Sequence, residues 1–237
     1  MKRRMAARRL GLLLILVIFP AACVHVPDMK SLDPLTDRAV IEECGRPFVK
    51  LPYRFVHAIE ATLPGGRTAT LIGVTVVDPE AKFLHSVLMT LEGLVLFDGE
   101  YDGNLSVKRA VPPFDKESFA RNMMEDIRLL FLSPEDSSAE AGVLMDGSTL
   151  CRYRGKEGET IDVTVQPDHA WKIVTYVNPF DRLREIKSGD DKDGIPEELE
   201  LKGYSHGGYT LRLRLVEAEP VSAATPPSPS EDETDQE

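Results

Sequence analysis

Apolar residues recur at every second position through most of the middle of this chain, and that period dictates extended backbone. Ile161, Val163 and Val165 alternate with Asp162, Thr164 and Gln166. Tyr209, Leu211, Leu213 and Leu215 alternate with Thr210, Arg212 and Arg214, and Leu105 and Val107 with Ser106 and Lys108. Successive side chains of a β-strand point to opposite faces, so each run reads as a strand with one apolar and one wet face. Turn-forming pairs punctuate the runs: Pro64-Gly65-Gly66, Asp78-Pro79, Glu92-Gly93, Asp102-Gly103, Asp146-Gly147 and Glu157-Gly158. Roughly ten strands joined by short turns imply an antiparallel meander. The expected class is mainly β, with a minor helical part (α+β).

Residues 70–99 depart from this pattern. In ATLIGVTVVD and KFLHSVLMTLEGLVLF both faces are apolar, with Phe83, Val87, Met89 and Leu91 on one and Leu84 and Leu88 on the other. Such strands are covered on both sides, or else leave an apolar face to bind something. One helix is expected after Pro112-Pro113-Phe114, with Asp115 as N-cap and Glu117 near its start. Phe119, Met123, Ile127, Leu130 and Phe131 then share one face at helical spacing. That stripe is either core or a lid over an apolar cavity, a use that suits adaptable methionine. A second, weaker helix is expected over Pro34–Cys44, with Gly45 as its stop.

The first 22 residues carry a different message. MKRRMAARRLGLLLILVIFPAA places five Lys/Arg before an apolar run, then small residues before Cys23. That order marks a secretory signal peptide over residues 1–22. The run falls well short of the ~20 residues that span a bilayer. Ala21-Ala22-Cys23 resembles the lipobox of bacterial lipoproteins, whose cysteine becomes the new N-terminus and carries lipid such as palmitate. Pro20 stands where a lipobox usually has leucine, so ordinary cleavage leaving a Cys23 thiol, or an uncleaved anchor, are the alternatives. Val24 rather than aspartate follows Cys23, which favours the outer membrane over the inner.

Residues 23–34 read as the lipidated N-terminus and a tether that reaches about 35 Å when extended. Residues 218–237, with four prolines and a closing acidic cluster, read as a disordered tail. A single domain over residues 35–217 remains. Without its signal the chain keeps 23 Lys/Arg against 39 Asp/Glu, a formal charge of −16. Such a surface repels nucleic acid and anionic headgroups. Membrane contact is therefore expected through the lipid and local apolar groups. If Cys23 carries lipid, Cys44 and Cys151 are left as an even pair in an oxidising compartment, a candidate disulfide. The alternative is two buried thiols.

Catalytic signatures are absent from the sequence. The five histidines are scattered, and no HExxH, CxxC, GxSxG, P-loop or dinucleotide fingerprint occurs. No catalytic residue, metal ligand or cofactor is assigned, and a non-enzymatic protein is expected. His85 reads as a hydrogen-bonded strand residue. GDDKDGIPEELE resembles a calcium loop with Asp191, Asp193, Glu197 and Glu200 at ligand positions, but Gly189 stands where the first carboxylate belongs. A polar turn is the preferred reading.

Over most of residues 53–216 the order of elements is similar to the LolA/LolB-type envelope proteins, more on the anchored LolB side. It runs through MTLEGLVLF, ARNMMEDIRLLFL and AWKIVTYVN to IPEELELKG and YTLRLRLVEAE. Trp171-Lys172-Ile173-Val174 and the Pro196, Leu199, Leu201 series are its nearest echoes. The resemblance implies a curved antiparallel sheet, an incomplete barrel, whose concave apolar face is covered by helices and binds acyl chains of lipoproteins or lipids. It makes Leu91 the candidate membrane-insertion residue of a hairpin, although the family's proline-leucine-glycine turn is replaced by Leu91-Glu92-Gly93. It makes Phe119, Met123, Ile127, Leu130 and Phe131 candidate cavity or lid residues. The expected function is a lipid-anchored, periplasm-facing outer-membrane protein with lipoprotein or lipid cargo. The rivals are a structural or assembly lipoprotein binding a protein partner, and a calcium-binding envelope module.

Overall fold

The period-two runs become strands of one antiparallel sheet. A computed structural model describes residues 26–31, 40–134, 140–155, 158–189, 191–192, 194–205 and 207–222. Cys23 and the signal segment lie outside these residues. A first meander comprises β2 (Tyr53–Thr62), β3 (Thr68–Asp78), β4 (Phe83–Thr90), β5 (Val95–Tyr101) and β6 (Leu105–Ala110). The long helix Glu117–Phe131 follows. A second meander holds β7 (Glu140–Val143), β8 (Thr149–Arg154), β9 (Thr160–Val165), β10 (Trp171–Asn178), β11 (Asp181–Ser188), β14 (Glu198–Gly203) and β15 (Tyr209–Pro220). The short β12 (Asp191–Lys192) and β13 (Ile195–Pro196) form a hairpin of their own, and β1 (Lys30–Ser31) pairs with β7.

The thirteen strands of the main sheet run β1-β7-β8-β9-β10-β11-β14-β15-β2-β3-β4-β5-β6. The sheet is curved and does not close into a barrel. Its two meanders meet where β15 pairs with β2 from Thr210↔Thr62 to Pro220↔Tyr53. The chain must pass from edge strand β6 to β7, near the opposite edge. The fifteen helical residues, about 22 Å of helix, make much of that crossing over the concave face.

Strand registers define the concave rows. Phe55 pairs with Thr75, Thr75 with Ser86 and Ser86 with Gly99; Val77 pairs with Leu84 and Leu84 with Tyr101. Leu213, Leu199 and Ser188 continue the surface, as do Leu211, Leu201 and Ile186. Phe55, Val77, Leu84, Phe97, Ile173, Ile186 and Leu201 are buried there under Ala120, Met124, Leu129, Leu130 and Phe131 of the helix. Gly203 belongs to the same face because the Tyr209 ring lies across it, and a Cβ there would overlap that ring.

Five sequence expectations change. The helix begins at Glu117 behind Lys116, and Asp115 does not cap it. Its buried stripe is turned by about one residue from the expected one: Ala120, Met124 and Leu129 are inside, whereas Phe119 is 41% exposed and meets Phe114 edge-on. Met123 and Ile127 are half-buried against the core, while Leu130 and Phe131 are buried as expected. The cause is Asp126, which is drawn inward by Arg184 and Tyr209.

The outer face of β9 is not wet. Asp162 and Thr164 are buried, with Arg152 bridging Asp162 at 2.8 Å and the Pro27 carbonyl at 2.9 Å. Part of the supposed tether thus joins the sheet edge. At the other end β15 runs to Pro220, and the Val221 amide donates to the Pro52 carbonyl at 3.0 Å. Residues 218–222 therefore belong to the domain, and the rest of the expected tail lies outside the described residues.

Candidate functional site

The helix is fastened to the concave face at two places. At its C-terminal end Phe131 stacks on Phe55 of β2, with ring centroids 4.9 Å apart and planes 9° from parallel. One and a half turns earlier Asp126 accepts hydrogen bonds from the Arg184 guanidinium of β11 and the Tyr209 hydroxyl of β15. Burial pushes the Asp126 carboxyl above its ordinary range, against the pull of Arg184 and Tyr209. Burial and the neighbouring carboxylate together push the Tyr209 phenol up. The acyl-lid reading of the helix therefore meets a filled interface at these two contacts, and clefts open beside it.

One flank is aromatic. A cleft of about 400 Å³ opens beside the helix end, walled by Phe48, Phe55, Phe131, Trp171, Ile195 and Leu199. His57 lies at its back, tilted against Phe55 and Phe131 with both ring centroids at 5.9 Å. Desolvation lowers the His57 pKa to about 4, so the imidazole is neutral at neutral pH. The outer wall is the segment 46–51, tied down where the Val49 amide donates to the Phe131 carbonyl at 3.1 Å. Just before that segment Cys44 and Cys151 are joined as a disulfide, with Cα atoms 6.1 Å apart. The β12–β13 hairpin contributes Ile195 to the rim, with Gly194 at φ +81° turning it. This is the segment read as a polar turn in preference to a calcium loop; Asp193 lies outside the described residues.

The second cleft, about 580 Å³, follows residues 121–128 of the helix. Leu105, Met124 and Ile161 line it, and its rim mixes Arg121, Arg128 and Arg154 with Glu125 and Glu159. The rim is ion-paired, with Arg128 gripping Glu125 through two bonds of 2.7 and 2.8 Å.

The sheet and the helix across its concave face match solved structures. A LolA superfamily protein of Nitrosomonas europaea superposes with a TM-score of 0.55, over 79% of this chain and 94% of its own, at 10% identity. A DUF1329 family protein of Desulfovibrio piger gives 0.51 over 80% and 95%, at 11% identity. This chain shares the fold of that LolA superfamily protein. No protein-family model and no curated protein matches its sequence.

Within that LolA-type frame, Leu91 sits at the tip of the β4–β5 hairpin and is 62% exposed. The turn is closed by the Thr90 and Leu94 main chains, with the Gly93 amide donating to the Thr90 carbonyl at 3.0 Å and Gly93 at φ +86°. That geometry brings a second leucine to the surface, Leu94, 60% exposed. Sequence reading missed Leu94 because it looked like the first apolar residue of the next strand. The lid candidates separate: Leu130 and Phe131 line the aromatic cleft, while Phe119, Met123 and Ile127 lie off it. His85 is a strand residue whose Nε2 meets Asp98 at 2.9 Å on the outer face. His57 was missed, although it falls in phase with Phe55 and Ile59 on the apolar face of β2, which is the signal that could have found it.

Proposed function

We propose that this chain is a non-enzymatic envelope protein that binds acyl chains of lipoproteins or lipids in the aromatic cleft beside the helix. The observation that carries the reading is the cleft itself: six large apolar side chains surround about 400 Å³ next to a helix that covers the concave face. An acyl chain entering it leaves water, at about 0.8 kcal/mol per buried methylene. The bilayer offers the same gain, so transfer in either direction needs only a small bias. Cys23 would anchor the chain by its lipid in the outer membrane, with the domain in the periplasm. The paired tip leucines, Leu91 and Leu94, would touch the membrane surface and deliver cargo there.

The test is direct binding of a fluorescent acyl probe to the full-length protein carrying Cys23→Ser. Saturable binding by folded protein, competed by unlabelled acyl chains, is expected. A folded protein that binds no acyl probe would dispose of the reading. Anchoring is a separate matter, settled by mass spectrometry of the mature N-terminus for an acylated Cys23.

A second reading is favoured by a different observation. Edge strand β6 is paired only with β5 among the described residues, and its middle residues are exposed. An open edge of this kind accepts a partner's strand. That would suit an assembly lipoprotein binding another protein.

A further inference from the structure

The mouth of the aromatic cleft carries charge of one sign. No aspartate or glutamate lines it among the described residues, although the chain holds 39 acidic residues against 28 Lys/Arg. Arg46, Lys50 and His169 stand there instead. Arg46 meets Glu43 at 3.4 Å across an exposed contact, and such a pair is worth only ~0–1 kcal/mol. His169 lies 3.8 Å from the same carboxylate. Lys50 has no carboxylate at ion-pair distance among the described residues. Glu42 acts on it from farther off, and partial burial holds the ammonium below its ordinary pKa. Inside the rim the walls turn apolar at once, through Phe48 to Phe131 and Trp171.

An apolar bore under a cationic rim, in a strongly acidic protein, discriminates between amphiphiles by their heads. We propose that the cleft takes one acyl chain bearing an acidic head, a carboxylate or a phosphate monoester. Arg46 and Lys50 hold the head oxygens while the chain lies between Phe55, Phe131 and Trp171. The inference deepens the acyl-binding reading and rests on it. Burial of the chain is common to acid and neutral ester alike. The charge-assisted hydrogen bonds from guanidinium and ammonium are open to the acid alone. The acidic surface elsewhere repels the same head, so the rim is where such a ligand is captured.

The chain contains one tryptophan, Trp171, and it lines this cleft. Bromine quenches tryptophan on contact, so brominated ligands report occupancy beside Trp171. The full-length Cys23→Ser protein is titrated with dibromostearic acid, its methyl ester, and a phosphatidic acid carrying the same brominated chain. The acid, the phosphate or both are expected to quench at tenfold or more lower concentration than the ester. The tighter of the two identifies the head. Arg46→Gln/Lys50→Gln should abolish that preference, so that acid and ester quench at equal concentrations. Equal affinity of acid, phosphate and ester for the unaltered protein overturns the acidic-head assignment while the acyl reading stands. Absence of quenching by all three in folded protein overturns the acyl reading itself. A preference that survives the double substitution removes Arg46 and Lys50 from the role.

Discussion

Asp126 of the helix and Arg184 of β11, 58 residues apart in the chain, form an ion pair buried where the helix crosses the sheet. Tyr209 completes it from β15. The pair decides which side of the helix faces inward, because a carboxylate in that position cannot be turned to the core without a partner.

Removing one member leaves the other charged and buried. Asp126→Ala is therefore expected to cost about 3–5 kcal/mol, and the double variant Asp126→Leu/Arg184→Met considerably less. Urea unfolding of both variants measures the difference. Equal losses would mean that the ion pair is not what fixes the helix.

The rotation of the helix has its own test. Met124→Ala should cost about 2–5 kcal/mol, as buried truncations do, whereas Phe119→Ala should cost under about 1 kcal/mol. The stripe read from sequence alone forecasts a large loss at Phe119. Thermal melts of the two variants separate these outcomes.

His57 makes stability depend on pH. Its folded pKa of about 4 lies below the ordinary histidine value of 6.5, so the unfolded chain binds the proton more readily. The stability tied to the neutral imidazole is whole above pH 6.5 and is lost as pH falls toward 4. The full loss is roughly 3 kcal/mol. His57→Phe should flatten that part of the stability–pH curve, measured by urea midpoints between pH 7 and pH 4.5.

The tip leucines should matter for membranes and not for folding. Leu91→Asp/Leu94→Asp is expected to melt within a degree or two of the unaltered protein, since both side chains are exposed. Its association with lipid vesicles, measured by flotation of the Cys23→Ser protein, should fall by at least tenfold. Unchanged flotation would take the hairpin out of membrane contact.

The Cys44–Cys151 bridge closes a loop across 107 residues of sequence. Cys44→Ala/Cys151→Ala should lower stability by about 2–5 kcal/mol. Acyl-probe affinity should fall with it, because the bridge anchors the start of the segment that walls the aromatic cleft. Differential scanning calorimetry and probe titration read the two effects separately.

What could be read from the sequence was whatever repeats locally. Leu211, Leu213 and Leu215 announce β15 because Arg212 and Arg214 mark the opposite face, and both arginines are exposed. The same alternation misled at β9, where Asp162 looks solvated but is neutralised by Arg152 from the preceding strand, β8. Helical period located the helix, yet not its rotation, because Asp126 scores as a surface residue until Arg184 and Tyr209 are placed beside it. The cleft was hardest to see. Its outer wall, Arg46 to Leu51, has no periodicity, and its other walls come from β2, the helix, β10 and the β12–β13 hairpin. Such a constellation exists only in three dimensions.

The seam between β15 and β2 sets the order in which this protein can be completed. Tyr53 is among the first strand residues in chain order and Pro220 the last described one, and they are partners in register. Until the final strand arrives, β2 is a bare edge in what will become the middle of the sheet. Folding must wait on a contact spanning most of the chain, which makes it slow and exposes that edge to neighbours in the interval. Loss of the last dozen described residues would open the sheet at its centre, whereas loss of β1 would only shorten its rim.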